Sequence, residues 1–131
     1  MNISIGTDII DINRIKKVII KYNYKFKKRC FHKGEILKSE SRLNIVESYA
    51  KRYAAKEACA KALGTGLAKG VYWKDIEIKN NKNGKPLIKL HNRALAYLHK
   101  NFGKNSNIEV SLSDEKDYAI ANVLITNEKK K

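Results

Sequence analysis

Residues 50–66 read AKRYAAKEACAKALGTG and predict one long alanine-rich helix that carries a single carboxylate, Glu57, and ends at a glycine. On a helical projection, mostly small or apolar residues lie within about 60° of Glu57: Ala50, Tyr53, Ala54, Ala60 and Lys61. Three basic residues lie roughly 100–140° away, at Lys51, Arg52 and Lys56. A glutamate without a functional role usually lies on the solvated face. We therefore infer that a negative charge is needed on the small-residue face.

The composition predicts one basic domain. The chain has 131 residues, with 28 Lys or Arg and 13 Asp or Glu, so its formal net charge is +15. We predict a single domain over residues 1–127 and a frayed basic tail over residues 128–131. The charge favours anionic partners such as nucleic acid, phosphorylated metabolites, acidic proteins or an anionic membrane surface. A generally lysine-rich surface would explain it equally well.

The same sequence predicts a cytoplasmic protein. Cys30 and Cys59 are isolated thiols without metal-type spacing, which is typical of a reducing compartment. The N-terminal residues lack the basic segment of a secretory signal, and no apolar run approaches the roughly 20 residues that cross a bilayer. We expect no membrane association.

Hydrophobic periodicity predicts an α+β fold with a mainly antiparallel sheet packed against the long central helix and shorter helices. Strands are predicted over residues 3–9, 73–80, 86–90, 108–112 and 118–125, and helices over residues 12–22, 32–39, 45–63 and 91–102. In the first strand Ser4, Gly6 and Asp8 share one face, and Gly6 permits a close backbone approach on that face. The small residues Ala50, Ala54, Ala58 and Ala62 recur every fourth position, so another element can pack closely against them.

A basic stripe follows the first predicted helix. It consists of Arg14, Lys17 and Lys21, and the following Lys25, Lys27, Lys28 and Arg29 extend it without an intervening acid. Such a stripe is either a solvated face or a docking surface for an acidic partner, and the pattern leaves both interpretations open.

Among the possible chemistries, the residues favour a hard-cation site. The histidines, His32, His91 and His99, lie in lysine-rich segments and are predicted to be surface residues, without nucleophile motifs or zinc-ligand spacing. Asp8 and Glu57 are instead two acids in small or apolar surroundings, and two carboxylates with substrate phosphates and waters are the usual arrangement around Mg²⁺. The alternative is a surface pair between Glu57 and Lys61, with Asp8 as a strand-end cap. Residues 64–66 similarly fit either a helix cap or a phosphate-binding turn.

Four segments stand in order along the chain: IGTDI at residues 5–9, KRYAAKEA and KALGTG at 51–66, NGKP at 83–86, and VSLSD with DYA at 110–119. Together they resemble the holo-[acyl-carrier-protein] synthases, the small bacterial phosphopantetheinyl transferases. The resemblance covers nearly the whole chain and implies that family's fold. It also implies transfer of 4′-phosphopantetheine from coenzyme A to a serine of apo acyl carrier protein, in fatty-acid biosynthesis, with release of adenosine 3′,5′-bisphosphate.

The resemblance also implies roles for individual residues. Asp8 and Glu57 match the Mg²⁺ ligands, and Glu57 or a metal-bound water would accept the serine proton. Lys61 would assist the leaving phosphate, and the other coenzyme A phosphates would be held by Arg52, Lys61, Gly64, Thr65 and Gly66. Acyl carrier protein, which is acidic, would dock on Arg14, Lys17, Lys21, Lys25 and Lys28. Members of the family are homotrimers with active sites between protomers.

Two positions depart from that pattern. Tyr53 stands where the family usually has phenylalanine, and Glu109 stands where a histidine is common. If that histidine holds a phosphate, Glu109 would repel it, so lysines elsewhere must compensate and no role is assigned to Glu109.

The competing hypotheses are a basic nucleic-acid-binding module and a carrier-binding scaffold without catalysis. No recognised nucleic-acid-binding motif is present, so we expect no specific nucleic-acid partner.

Overall fold

The computed structural model describes residues 2–127, so the tail predicted at residues 128–131 lies outside the described part of the chain. Its strands are β1 (Asn2–Asp11), β2 (Ile76–Asn80), β3 (Pro86–Leu90), β4 (Ser106–Glu115) and β5 (Tyr118–Asn127). Its helices are α1 (Ile12–Tyr22), α2 (Tyr24–Cys30), α3 (Lys33–Glu40), α4 (Ile45–Leu63) and α5 (Asn92–Phe102). No helix within residues 2–127 has the length and apolar character needed to cross a membrane.

Every strand pairing is antiparallel, and α4 is the central helix. One sheet has the order β1-β5-β4, and β2 and β3 form a separate hairpin. Helix α4 packs against β1 and β5 of the larger sheet. These observations confirm the predicted α+β fold.

The small residues of α4 let β1 approach its backbone closely. Gly6 lies so near the helix that an added Cβ would sit 1.8 Å from the Ala58 carbonyl oxygen and 2.8 Å from the Ala62 nitrogen. The Ser4 hydroxyl donates a hydrogen bond to the Ala62 carbonyl, at 2.6 Å. Since Ala54, Ala58 and Ala62 are essentially fully buried, the predicted close packing of this alanine row is confirmed.

We expect Gly6→Ala to lower the free energy of unfolding by about 3 kcal/mol, because the clashing atoms belong to the α4 backbone, which cannot rotate away. The matched control is Gly34→Ala, where no heavy atom lies within 4 Å of the added Cβ and the residue is in helix α3. That control should be neutral or stabilising by about 0.5–1 kcal/mol. Urea unfolding at one fixed protein concentration measures both, and equal stabilities of the two variants would contradict the close packing.

Three parts of the secondary structure differ from the predictions. The periodicity predicts no helix over residues 24–30, yet α2 forms there as a separate helix after Asn23, whose φ of 46° changes the direction of the chain. The predicted strand at residues 73–80 begins with a 3₁₀ turn, Trp73–Asp75, because Asp75 caps that turn by accepting from the Tyr72 N–H. Strands β4 and β5 extend beyond the predicted limits as a long hairpin.

Strand β1 turns its isoleucines away from the helix. Ile3, Ile5 and Ile9 are 61%, 68% and 60% exposed, and on β5 they pair with Thr126, Leu124 and Ile120. The outer face of the sheet therefore carries an apolar surface, while the inner face carries Gly6 and Asp8 toward α4. We call this surface the outer sheet face.

Two basic residues of α4 lie in the core. Lys56 is fully buried and Arg52 is 5% exposed, and both pair with the buried Glu35 of α3. The distances from Glu35 are 2.8 Å to the Lys56 ammonium and 3.7 Å to the Arg52 guanidinium. Both faces of α4 are thus covered, by the sheet on one side and by α3 and β2 on the other.

Candidate active site

Asp8 reaches α4 because it lies on the inner face of β1. The alternation along the strand gives Ser4, Gly6 and Asp8 the same face, and the contacts of the first two with α4 fix the direction of the third. The Asp8 side chain is largely buried, with 11% of its surface exposed. The predicted meeting of Asp8 and Glu57 therefore follows from the packing of Gly6.

Glu57 and Asp8 form a pair of interacting carboxyl groups. Burial raises the pKa of Glu57, and the negative charge of Asp8 and a hydrogen bond between the two side chains raise it further. Lys61 and Arg14 oppose this rise with their positive charges. Two partly buried carboxylates side by side repel each other, so the pair favours either a shared proton or a bound cation.

Lys61 contacts Asp8 rather than forming the surface pair with Glu57 that the sequence left open. Its ammonium lies 3.3 Å from the Asp8 carboxylate and donates to the Thr7 carbonyl at 3.0 Å. The side chain stays 54% exposed. A positive charge is therefore held beside the carboxyl pair and remains accessible to an anion.

Arg52 lies on a different face of α4 from this group. Its guanidinium donates to the Ile78 carbonyl and, at 2.8 Å, to Asn80 Oδ1. It lines a cavity of about 800 Å³ that also has Arg42, Lys51 and Lys85 in its wall. Asp8, Glu57 and Lys61 do not line this cavity. Within one chain the structure does not bring Arg52 together with the carboxyl pair.

The turn after α4 is a helix cap. Gly64 has φ of 87°, the left-handed conformation typical of such a cap. The N–H of Gly64 donates to the Lys61 carbonyl, and those of Thr65 and Gly66 donate to the Ala60 carbonyl. The Thr65 hydroxyl donates to the Gly66 carbonyl at 2.7 Å. Because these three N–H groups are engaged, the structure supports the cap and offers no free backbone donor at Gly64–Gly66 for a phosphate.

The predicted docking residues form an exposed basic surface on two helices. Arg14, Lys17 and Lys21 are exposed on α1, and Lys25 and Lys28 are exposed on α2. Lys27 is an exception within the basic segment: it is 6% exposed and bonds to Glu40 at 2.8 Å. Between the two helices and α4 lies a groove whose aromatic lining includes Tyr22, Phe26, Tyr53 and Trp73. The surface is therefore basic at its rim and apolar at its base.

The two departures from the family pattern are both accommodated. The ring of Tyr53 stacks on Trp73 with centroids 4.2 Å apart, and burial, followed by the charge of Glu57, raises the pKa of Tyr53 to about 12. Tyr53 thus packs as a neutral aromatic ring. The Glu109 carboxylate lies 3.2 Å from the Lys85 ammonium, so its negative charge has a basic neighbour beside the Arg52 cavity.

The histidine prediction requires correction. All three histidines are half-buried rather than exposed, and two of them lie together although 59 residues separate them in sequence. The rings of His32 and His91 have centroids 5.0 Å apart, and Glu77 lies 2.8 Å from His91. Sequence spacing could not find this group because its members come from three separate elements. His32 is the N-cap residue of α3, Glu77 lies on β2, and His91 is the N-cap residue of α5. The only local signal is that His32 and His91 each directly precede a helix.

Known proteins are similar to this chain in both sequence and fold. Residues 4–123 match the model of the 4′-phosphopantetheinyl transferase superfamily. The holo-[acyl-carrier-protein] synthase of Agrobacterium fabrum is 48% identical over 95% of both chains. The crystal structure of the holo-[acyl-carrier-protein] synthase from Neisseria meningitidis has a TM-score of 0.83 and 35% identity, covering 95% of this chain and 98% of that one.

A second solved structure, the Helicobacter pylori holo-[acyl-carrier-protein] synthase in complex with coenzyme A, has a TM-score of 0.80 and 32% identity, covering 93% of this chain and 99% of that one. The similarity in sequence and in fold extends over nearly the full length of this chain and of each of these three proteins. The chain belongs to the 4′-phosphopantetheinyl transferase superfamily, among the holo-[acyl-carrier-protein] synthases.

Proposed function

We propose that this chain transfers 4′-phosphopantetheine from coenzyme A to a serine hydroxyl of apo acyl carrier protein, in the cytoplasm and for fatty-acid synthesis. The observation that carries the proposal is the Asp8–Glu57 carboxyl pair with Lys61 beside it, in a chain of this family. The serine oxygen forms a bond to the phosphorus next to pantetheine. The bond from that phosphorus to the bridging oxygen breaks, and adenosine 3′,5′-bisphosphate leaves.

The carboxyl pair fits a magnesium ion. Carboxylate oxygens are the ligands that Mg²⁺ prefers, and a cation between the two groups would relieve the repulsion that raises the pKa of Glu57. Asp8 and Glu57 would hold the ion, with substrate phosphates and waters as its other ligands. When bound there, Mg²⁺ polarises the phosphoryl group and neutralises negative charge on it.

The other steps fall to side chains of this chain. Glu57, or a water bonded to it, would take the serine proton. Lys61 is held by Asp8 and the Thr7 carbonyl and keeps an exposed ammonium. That ammonium neutralises charge on the leaving phosphate.

Coenzyme A is proposed to extend from the carboxyl pair of one protomer to the basic cavity beside Arg52 of a neighbouring protomer. Basic side chains at Arg42, Lys51, Arg52 and Lys85 line this cavity, and its volume of about 800 Å³ is ample for part of a nucleotide. Lys51 also pairs with Asp114 at 3.3 Å, and Lys85 offsets Glu109. The phosphates would thus contact the basic side chains that line this cavity rather than the engaged N–H groups of Gly64–Gly66.

The deciding experiment is a carrier modification assay. The purified chain is mixed with coenzyme A, Mg²⁺ and an apo acyl carrier protein, and the carrier is weighed by mass spectrometry. We expect the mass gain of one phosphopantetheine group, lost when the acceptor serine is replaced by alanine. A carrier that binds the chain without gaining mass would instead support a scaffold without catalysis, and neither binding nor modification would exclude both.

Acyl carrier protein is proposed to dock on the basic surface of α1 and α2. Complementary charge mainly accelerates encounter and fixes orientation. Arg14 lies close enough to lower the pKa of Glu57, so the docking surface adjoins the carboxyl pair. A carrier seated on α1 would therefore present its serine near the reacting phosphate.

Reversing two docking charges, Lys17→Glu with Lys21→Glu, is expected to lower kcat/KM for the carrier by about tenfold at low salt with little change in kcat. The difference should shrink at high salt, because exposed charges are screened. Lys104→Glu, an exposed change outside α1 and α2, is the control. Steady-state kinetics at two salt concentrations test this, and an unchanged KM would remove α1 from the docking surface.

We further propose a homotrimer joined through the outer sheet face. Ile3, Ile5 and Ile9 form an exposed apolar row, which in soluble proteins usually marks an interaction surface. Arg52 and the carboxyl pair lie apart in one chain. An active site that uses both would therefore form where the cavity of one protomer meets the carboxyl pair of another. This supports active sites shared between subunits.

Ile5→Lys is expected to dissociate the assembly into monomers and to remove most activity, because it places a charge within the apolar row. Leu37→Lys is the matched control, since Leu37 is 73% exposed and lies on α3. Light scattering after size-exclusion chromatography measures the molar mass of the parent chain and of each variant in solution. A monomeric parent chain would contradict the trimer at once.

A further inference from the structure

A second group of potential metal ligands lies apart from the carboxyl pair. His32 precedes α3, Glu77 lies on β2 and His91 precedes α5. One ligand atom from each of these residues lies within 4.8 Å of the other two, and all three side chains are half-buried. The His91 Nε2 already lies 2.8 Å from a Glu77 carboxylate oxygen. Three residues from distant parts of the sequence therefore converge on one point.

We propose that His32, Glu77 and His91 bind a Zn²⁺ ion. Two imidazoles and one carboxylate form a donor set suited to zinc, whereas Mg²⁺ prefers oxygen ligands alone. Three protein ligands leave the fourth tetrahedral position to water, and the partial exposure of the group allows this. This site does not depend on the proposed transferase reaction.

The geometry requires only a small adjustment. Zinc bonds of about 2.0–2.1 Å place tetrahedral ligand atoms roughly 3.3 Å apart. The longest separations, up to 4.8 Å, would close by about 1.5 Å, and the contact between His91 and Glu77 would open by about 0.5 Å. Rotations of half-buried side chains are sufficient for changes of this size.

The surroundings hold the ligands in place. His32 Nε2 contacts the Lys74 carbonyl, and a ring nitrogen bonded to a carbonyl is the usual support for a metal-binding histidine. The buried Lys56 ammonium donates to the carbonyls of Trp73, at 3.1 Å, and of Ile76, which anchors the backbone on both sides of Lys74.

The first experiment is a Zn²⁺ titration of the chelator-treated full chain by calorimetry, in excess Mg²⁺ so that the Asp8–Glu57 pair is occupied. We expect one high-affinity Zn²⁺ per chain, and Co²⁺ should give the intense visible spectrum of a tetrahedral site. Glu77→Gln and His91→Asn should each weaken zinc binding by at least about tenfold. Asparagine is chosen because it can still cap α5.

The matched control is His99→Asn, since His99 is half-buried on α5 outside the group. It should bind zinc like the parent chain. An Asp8→Asn variant should also keep its zinc affinity, which separates this site from the carboxyl pair. Absence of saturable binding, or equal affinities of the Glu77→Gln, His91→Asn and parent chains, would overturn the proposal.

Thermal unfolding gives an independent measurement. Because zinc would join α3, β2 and α5, saturating Zn²⁺ should raise the Tm by about 5 °C in the parent chain and in His99→Asn. Glu77→Gln, which preserves the side-chain shape, should fold and show a clearly smaller rise. A rise of the same size in Glu77→Gln would place the zinc elsewhere and contradict the site.

Discussion

A Glu57→Gln variant is expected to lose about 10³-fold or more in kcat/KM, and yet to melt at a higher temperature than the parent chain when no divalent ion is present. The loss follows from removal of the charge that Glu57 contributes to the proposed metal site, which costs several kcal/mol of transition-state stabilisation. The gain follows from removal of the repulsion between Glu57 and Asp8. The same carboxylate is thus favourable for the reaction and unfavourable for the metal-free fold.

The stability gain should depend on pH in a defined direction. Burial and the charge of Asp8 raise the pKa of Glu57 in the folded chain above its unfolded value, near 4.3. Between the two values the folded chain binds more protons, so the stability of the metal-free parent falls as pH rises through this interval. Glu57→Gln lacks this group. Its advantage in Tm should therefore vanish below about pH 4 and be complete once pH exceeds the folded pKa.

Two measurements decide between a metal ligand and an ordinary buried acid. Activity is read by carrier modification, and Tm is read in chelator and in excess Mg²⁺ across the pH range. Added Mg²⁺ should raise the Tm of the parent and leave that of Glu57→Gln unchanged. Glu115→Gln, an exposed substitution on β4, should behave like the parent in both assays. Activity of Glu57→Gln within about threefold of the parent would remove Glu57 from the metal site.

The carboxyl pair was predictable because local rules determine it. Period-two alternation put Asp8 on the Gly6 face, helical spacing put Glu57 on the small-residue face of α4, and small residues on both sides indicated close approach. The structure adds the contact of Lys61 with Asp8, at 3.3 Å, which helical spacing alone could not distinguish from a pair with Glu57. The roles of these residues in catalysis remain predictions.

Contacts between distant segments could not be predicted in the same way. The isoleucine row of β1 has the alternation of a half-buried strand, yet it points away from the single-chain core, since α4 covers the Gly6 face. His32, Glu77 and His91 come from the start of α3, from β2 and from the start of α5, and they meet only in the folded chain. Periodicity reports which residues share a face, and it does not report what covers that face.

The largest failure of local rules is on the far side of α4. The charge of Lys56 and Arg52 is typical of a solvated face, but α3 and β2 cover both residues. The Lys56 ammonium donates to Glu35 and to two carbonyls, and its pKa is lowered by burial although Glu35 opposes this effect. Glu35 also accepts from the N–H groups of His32, at 3.1 Å, and Ile78, at 3.3 Å. Its carboxylate is therefore the negative centre of a fully buried network.

Glu35→Gln is expected to lower the free energy of unfolding by about 3–5 kcal/mol, because it leaves the Lys56 and Arg52 cations buried without a negative partner. Glu109→Gln is the control for an exposed pair: its carboxylate lies 3.2 Å from the Lys85 ammonium, and the two side chains are 51% and 55% exposed. That control should lose no more than about 1 kcal/mol. Adding Lys56→Met to Glu35→Gln should restore part of the loss, since one unpaired charge is removed. Urea unfolding of the four chains tests the network, and equal losses in the Glu35 and Glu109 variants would show that burial does not set the strength of these ion pairs.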